Sequence, residues 1–307
     1  MTNLKTNLSL SNPRPSTSIL DNTKKINNMR QSITIIFMCL VAIASIAQNN
    51  VAVEYDVTTR DSDSGDSYTQ KMTLVASSER SLYFNKMSLY VDSCESTPEG
   101  KAKLCETQMK AWRVVQPDGT VTYDGRKLGL APEKTEFLYV AKDNENGDMS
   151  VYDFKAGEMW RYYEPLTEMN WKMVEDSVKT ILGYECFMAE ADYHGRIWTA
   201  WFSPEIPIHD GPWKLHGLPG MILSAEGRDG FIIEATEVGS TRQSVPFVYS
   251  VKDYTKGERK QILADHEYYE NNFESLMAAQ GIKMNADGTP VNLPKYDRQR
   301  KAWETDY

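Results

Sequence analysis

Apolar and polar residues alternate along much of the chain between residues 50 and 240. In Val51-Ala52-Val53-Glu54-Tyr55-Asp56-Val57 every second side chain is apolar, the period of a half-buried strand. Residues 68–77, 81–91, 112–116, 121–123, 136–141, 150–154 and 159–163 continue the series. Turn residues such as Pro117-Asp118-Gly119 separate them. From Trp171 the pattern sharpens. Residues 172–178, 184–191 and 196–202 predict a meander turned at Leu182-Gly183 and His194-Gly195, and residues 221–225 and 231–237 predict a hairpin. Short strands at this spacing predict a mainly β, β-rich α+β fold on one large curved antiparallel sheet. After residue 250 the period becomes helical. Ile262, His266, Tyr269, Phe273 and Leu276 predict a helix laid on the sheet, with Thr255 to Glu258 as a capping box and Gly281 as its stop. The expected organisation is a β domain over 48–250, then a helical segment and charged tail over 251–307.

The beginning of the chain reads differently. Residues 29–47, MRQSITIIFMCLVAIASIA, have the form of a signal peptide: Arg30, an apolar run over 33–43, and Ser45-Ile46-Ala47 before the cut that leaves Gln48 first. The run is shorter than the ~20 residues a span needs, and polar Gln48-Asn49-Asn50 follows, so no membrane span is expected in the mature chain. Phe37 and Met38 precede Cys39 where a lipobox has small residues. Residues 1–28 are polar, and they read as a disordered extension from an upstream start codon. The protein is therefore expected to be exported, to the periplasm or the outer envelope.

Removing the five basic residues and one acidic residue of 1–47 takes the net charge from −9 to −13. With no Lys/Arg run, nucleic acid and anionic lipid are poor partners. Three cysteines remain. Cys94 and Cys105 flank ESTPEGKAKL, where Pro98 and Gly100 predict a turn and an oxidising envelope predicts a disulfide. Cys186, in a strand-like run, is expected to be a buried thiol.

Candidate chemistry concentrates in residues 202–223, FSPEIPIHDGPWKLHGLPGMIL. Prolines fix φ, glycines permit φ > 0, and the apolar residues between them encode one rigid buried path. Gly217, Leu218, Pro219 and Gly220 are expected to form a structural turn first. Pro219 lacks the N–H that a phosphate cradle uses. Trp198, Trp201 and Trp213 either join the core or line a ligand groove. His209, Asp210 and His216, with Asp192 and His194 upstream, offer donors for zinc or copper, but they lack helical ligand spacing. No nucleophile elbow, Walker loop, dinucleotide fingerprint or haem-attachment motif is present, so no cofactor and no enzymatic activity are expected.

This block resembles the signature of the GLPGLI family, secreted Bacteroidetes-type proteins without an assigned biochemistry. Gly183-Tyr184-Glu185-Cys186, Gly195-Arg196-Ile197-Trp198-Thr199-Ala200-Trp201 and the stretch from Gly211-Pro212-Trp213 to Gly217-Leu218-Pro219-Gly220 carry the resemblance. Met221 stands where the name-giving motif has Leu, a volume-conserving change. The strand-rich order suggests the half-barrel of periplasmic lipoprotein carriers. The expected role is to bind or carry an apolar ligand or an envelope partner. Two other readings stand beside it. One is a metal-binding protein or metal-dependent hydrolase using His209 and His216. The other is an interaction subunit of an envelope assembly.

Overall fold

The computed structural model describes residues 50–60, 67–124, 131–228, 230–279, 281 and 303–306. The segments expected to be a signal peptide, 29–47, and an upstream extension, 1–28, lie outside the described residues. The described residues belong to one unit, Asn49–Tyr307.

Its frame is a twelve-stranded sheet. In chain order the elements are β1 (Asn50–Arg60), β2 (Ser67–Ala76), β3 (Arg80–Phe84), α1 (Lys86–Glu95), α2 (Pro98–Trp112), β4 (Arg113–Val115), β5 (Val121–Tyr123), β6 (Tyr139–Asp143), β7 (Asp148–Lys155) and β8 (Glu158–Pro165). Then follow β9 (Lys172–Ile181), β10 (Tyr184–Tyr193), β11 (Arg196–Ser203), β12 (Met221–Gly227), β13 (Phe231–Thr241), β14 (Thr255–Lys256), α3 (Arg259–Asn271) and α4 (Phe273–Ala279). The sheet order is β14-β8-β7-β6-β3-β2-β1-β13-β12-β11-β10-β9. Its edges, β14 and β9, do not pair, so the sheet is open. The expected antiparallel sheet is mixed, because β14 runs parallel to β8.

β1 joins the two halves, pairing with β2 on one side and β13 on the other. Its alternation sorts the two faces. Val53, Tyr55 and Val57 enter the large core with Met72 and Leu74 of β2, Trp198 of β11 and Ile233 of β13. A smaller cluster, including Val75, Leu82, Phe84, Tyr152, Val248 and Tyr254, occupies the opposite face.

The structure corrects the sequence reading in three places. The strand expected over 81–91 stops at Phe84. Asn85 accepts a hydrogen bond from the Ser88 N–H at 3.0 Å and caps α1. The turn expected between the cysteines is a helix start. Thr97 caps α2 through the Gly100 N–H at 3.1 Å, and Pro98 fills the first turn, where no N–H is missed. Cys94, at the end of α1, and exposed Cys105, within α2, are therefore on separate helices as free thiols, and the expected disulfide is not formed. Cys105 follows buried Leu104, a step of about 100° around the helix that turns it away from the core. Finally, Thr255 enters β14 instead of a capping box, and Glu258 caps α3 without a side-chain bond.

Candidate functional site

The 202–223 block lies against the large core and is tied to itself. Met221 N–H donates to the Ile206 carbonyl at 3.0 Å, Ile222 N–H to Asp210 at 2.9 Å, and Gly217 N–H to His209 at 3.1 Å. Ile206, Ile208, Trp213, Leu215, Leu218, Met221 and Ile222 enter the core cluster. Gly220 has φ +152°, and a Cβ there would lie 2.1 Å from the Ser203 carbonyl oxygen. Gly217 also has positive φ, +85°, but open space around it. Trp213 sits at φ +53°, an uncommon conformation for a bulky residue, with its indole buried. Trp198 is buried beside it at 5.6 Å between ring centroids. Trp201 is half-buried under the Lys179 ammonium. Pro219 is exposed.

The proposed metal donors diverge. The backbones of Asp210 and His216 bridge each other, yet their side chains part. Asp210 is buried and pairs at 2.5 Å with Lys142 of β6, itself fully buried. That ammonium also donates to the carbonyls of Gly211 at 2.8 Å and Leu215 at 3.0 Å. Burial pushes the Lys142 pKa down, and Asp210 opposes this. Three acceptors for three N–H groups favour the charged form despite burial. His216 aims Nδ1 at the Lys214 carbonyl (2.7 Å) and Nε2 at the Thr167 carbonyl (3.1 Å), so neither ring nitrogen faces Asp210. His209 is exposed.

One candidate donor, His194, joins a different polar cluster, with two carboxylates that no sequence signal singles out. Glu164 of β8, His194 at the β10–β11 turn and Glu304 place ligand atoms within 4.8 Å of one another. Their carboxylates are already compensated. Buried Lys214 pairs with both Glu164 and Glu304, the latter at 2.6 Å. Arg259 of α3 contacts Glu164 at 3.1 Å and Glu304 at 2.5 Å, and it grips Asp306 through both nitrogens at 2.7 and 2.9 Å. Burial raises the Glu304 and Asp306 pKa values, but these partners overcome it: Glu304 falls below the usual range, and Asp306 falls to about 2. The cluster is an ion-pair network, and it ties part of the charged tail, residues 304 and 306, to β8 and α3.

The open concavity lies on the other face. A cavity of about 370 Å³ is bounded by β1, β2, β3, α1 and residues 241–249. Ala52, Val75, Phe84 and Leu89 supply apolar wall, while Thr73, Ser93 and Gln243 supply polar edge. Lys86 and Glu54, an ion pair at 2.5 Å, also line it. Tyr90 and Tyr249 line it too, and Phe247, 66% exposed, lies 4.6 Å from the Tyr249 ring. No candidate residue from the sequence lies here. Ala52, Glu54, Thr73 and Val75 are the second faces of strands whose first faces carry the stronger pattern.

A family model described as "Protein of unknown function (Porph_ging)" matches residues 194–224. No curated protein matches the chain. Among solved structures, PNGF-II is similar in two crystal forms, with 14% and 13% identity and TM-scores of 0.46 and 0.44. Each match covers 71% of this chain but 33% of PNGF-II, so the chain spans about a third of that protein's length. A LolA superfamily protein from Nitrosomonas europaea is 8% identical, with 67% of this chain and 94% of that one covered and a TM-score of 0.23. Similarity this low carries no argument about ligand. Among the described residues, no helix is long and apolar enough to cross a membrane.

Proposed function

We propose that this is a non-enzymatic binding protein of the cell envelope, of the GLPGLI type, that holds a small amphipathic ligand in the cavity beside α1. The carrying observation is the cavity itself. Its volume falls within the ~300–1,000 Å³ of typical ligand sites, and apolar walls meet a few polar groups at one edge. An apolar body would lie against Val75, Phe84 and Leu89. A polar end would reach Lys86, Glu54 or Gln243. Export rests on the signal-peptide reading of 29–47 and fits the family match.

Ser93 lies at the cavity wall and outside both cores, so Ser93→Trp fills the space without removing core contacts. The apolar probe N-phenyl-1-naphthylamine should bind the wild-type protein saturably. Ser93→Trp should weaken that binding at least ~10-fold while changing stability by less than about 0.5 kcal/mol. Equal probe binding by both proteins would remove the cavity from consideration. Turnover of a defined envelope substrate, lost on one polar substitution, would overturn the non-enzymatic reading.

A further inference from the structure

Residues 303–306 make no strand or helix, yet they are held as a ligand is held. The Trp303 indole stacks on Trp213 at 5.2 Å and 23°, and it meets Phe231 at 4.4 Å and Tyr83 at 6.4 Å. Its carbonyl accepts from Arg196 Nη1 at 2.7 Å. Glu304, 2% exposed, sits between Lys214 and Arg259 and accepts from the Tyr162 hydroxyl at 3.0 Å. Thr305 donates its N–H to the His194 carbonyl and its hydroxyl to the Gly195 carbonyl, both at 3.1 Å. Asp306 completes the fork with Arg259.

The receiving residues all come from elsewhere in the chain, including β8, the β10–β11 turn, the 202–223 block and α3. His194 (φ +53°) and Gly195 (φ +78°) form the tight β10–β11 turn that presents both carbonyls. A Cβ on Gly195 would lie 2.4 Å from Thr305 Oγ1, so glycine there opens the path the segment follows. With residues 303–306 absent, Glu164 would be the one carboxylate paired with Lys214 and Arg259 among the described residues, beside an exposed aromatic shelf. An uncompensated buried cation next to apolar surface calls for an anion carrying an aromatic group. The backbone bonds at Trp303 and Thr305 make the fitting occupant a peptide.

We propose that this slot is a recognition site for an aromatic–acidic peptide segment, occupied in cis by Trp303–Asp306, and that the same segment of a second copy of this chain can take its place. The match of slot and segment supports that source: aromatic shelf to indole, two cations to Glu304 and Asp306, turn carbonyls to Thr305. Five slot residues, His194, Gly195, Arg196, Trp213 and Lys214, fall within the stretch matched by the family model. The site is independent of the cavity beside α1.

Two full-chain variants test the proposal. Trp303→Ala/Glu304→Gln vacates the slot. Gly195→Asn keeps a residue tolerant of positive φ but obstructs the slot and frees an intact segment. Mixed, the two should form a 1:1 complex on size-exclusion chromatography, and neither should dimerise alone. A fluorescein-labelled peptide of residues 301–307 should bind the vacated variant saturably. It should bind the wild-type chain at least ~10-fold more weakly, because the tethered segment competes at high effective concentration. Adding Gly195→Asn to the vacated variant should abolish binding. Absence of both the mixed complex and saturable peptide binding would overturn the proposal, as would equal binding by the vacated and wild-type chains. If the vacated variant does not fold alone, the wild-type peptide should restore its cooperative melt and a Glu304→Gln peptide should not. No recovery would also overturn it.

Discussion

On one face of β1, Val53, Tyr55 and Val57 share a core with the 202–223 block. On the other, Ala52 and Glu54 look into a cavity. The same strand thus serves two surfaces that solve opposite problems. The first surface is filled from within the sequence, by Trp213, Leu218 and Met221, with Trp303 packed against it. The second is roofed by α1 and residues 241–249 and left with space. Density of apolar residues and punctuators marks where a chain completes its own packing. The cavity beside α1 carries no such mark.

If that contrast is right, damage to the filled face should cost most. Lys142→Met leaves Asp210 buried without its cation and should destabilise the protein by about 3–5 kcal/mol in denaturant melts. Lys142→Met with Asp210→Leu should recover much of that loss, because the penalty lies in the unpaired charge. A double variant as unstable as the single would mean that the pair positions the block in some further way.

Gly220→Ala adds a Cβ against the Ser203 carbonyl at a φ that disfavours side chains. It should cost about 3 kcal/mol, against about 1 kcal/mol or less for Gly217→Ala, which meets open space. Equal costs at the two glycines would remove the distinction between a packed and a free side of the turn.

A smaller effect belongs to α3, whose Ile262 joins the filled core. His266 Nδ1 accepts the Ala156 N–H at 3.3 Å, which requires a neutral imidazole at that nitrogen; Glu270, at 3.7 Å, is too far to displace it. Burial and nearby Lys155 lower the His266 pKa to about 4. The unfolded chain takes this proton near pH 6.5, whereas the folded protein resists it until about pH 4. Stability should therefore decline as pH falls between those values and level off below them. His266→Gln should flatten that part of the profile, and an unchanged slope would assign it to other groups.

The smallest effect is expected at the cysteines. Cys94→Ser with Cys105→Ser should shift stability by less than about 0.5 kcal/mol, since both thiols are free. Cys105 should alkylate in the native protein, and Cys186 only on unfolding. A large loss of stability, or slow native labelling of Cys105, would restore the disulfide.

What the sequence made legible follows the range of the interactions involved. The meander β9–β11 and the β12–β13 hairpin were read closely, because alternation and turn residues are local signals. The strand expected over 81–91 runs on into α1, where Met87, Leu89 and Val91 alternate as in a strand while the Asn85 side chain caps a helix. The α2 start has the Pro and Gly of a turn, yet Thr97-Pro98 is an N-cap followed by an N1 proline. The Lys142–Asp210 pair and the burial of Glu304 lay beyond reach. Each depends on a partner distant in sequence, and each looks like ordinary surface charge in its own neighbourhood.

The seam at β1 has a consequence in time. Val57 pairs with Gln70 nearby and with Ile233 far along the chain. The β1–β2 hairpin can therefore form as soon as both strands exist, while the β13 side of β1 must wait for most of the polypeptide. During that interval the strand presents an unpaired hydrogen-bonding edge and the bare side chains of Val53, Tyr55 and Val57. Closing so long a loop makes this step slow, and it is the interval in which the chain is most exposed to wrong partners. Assembly of this sheet should thus be limited by when β13 arrives, more than by how strongly any one strand prefers its place.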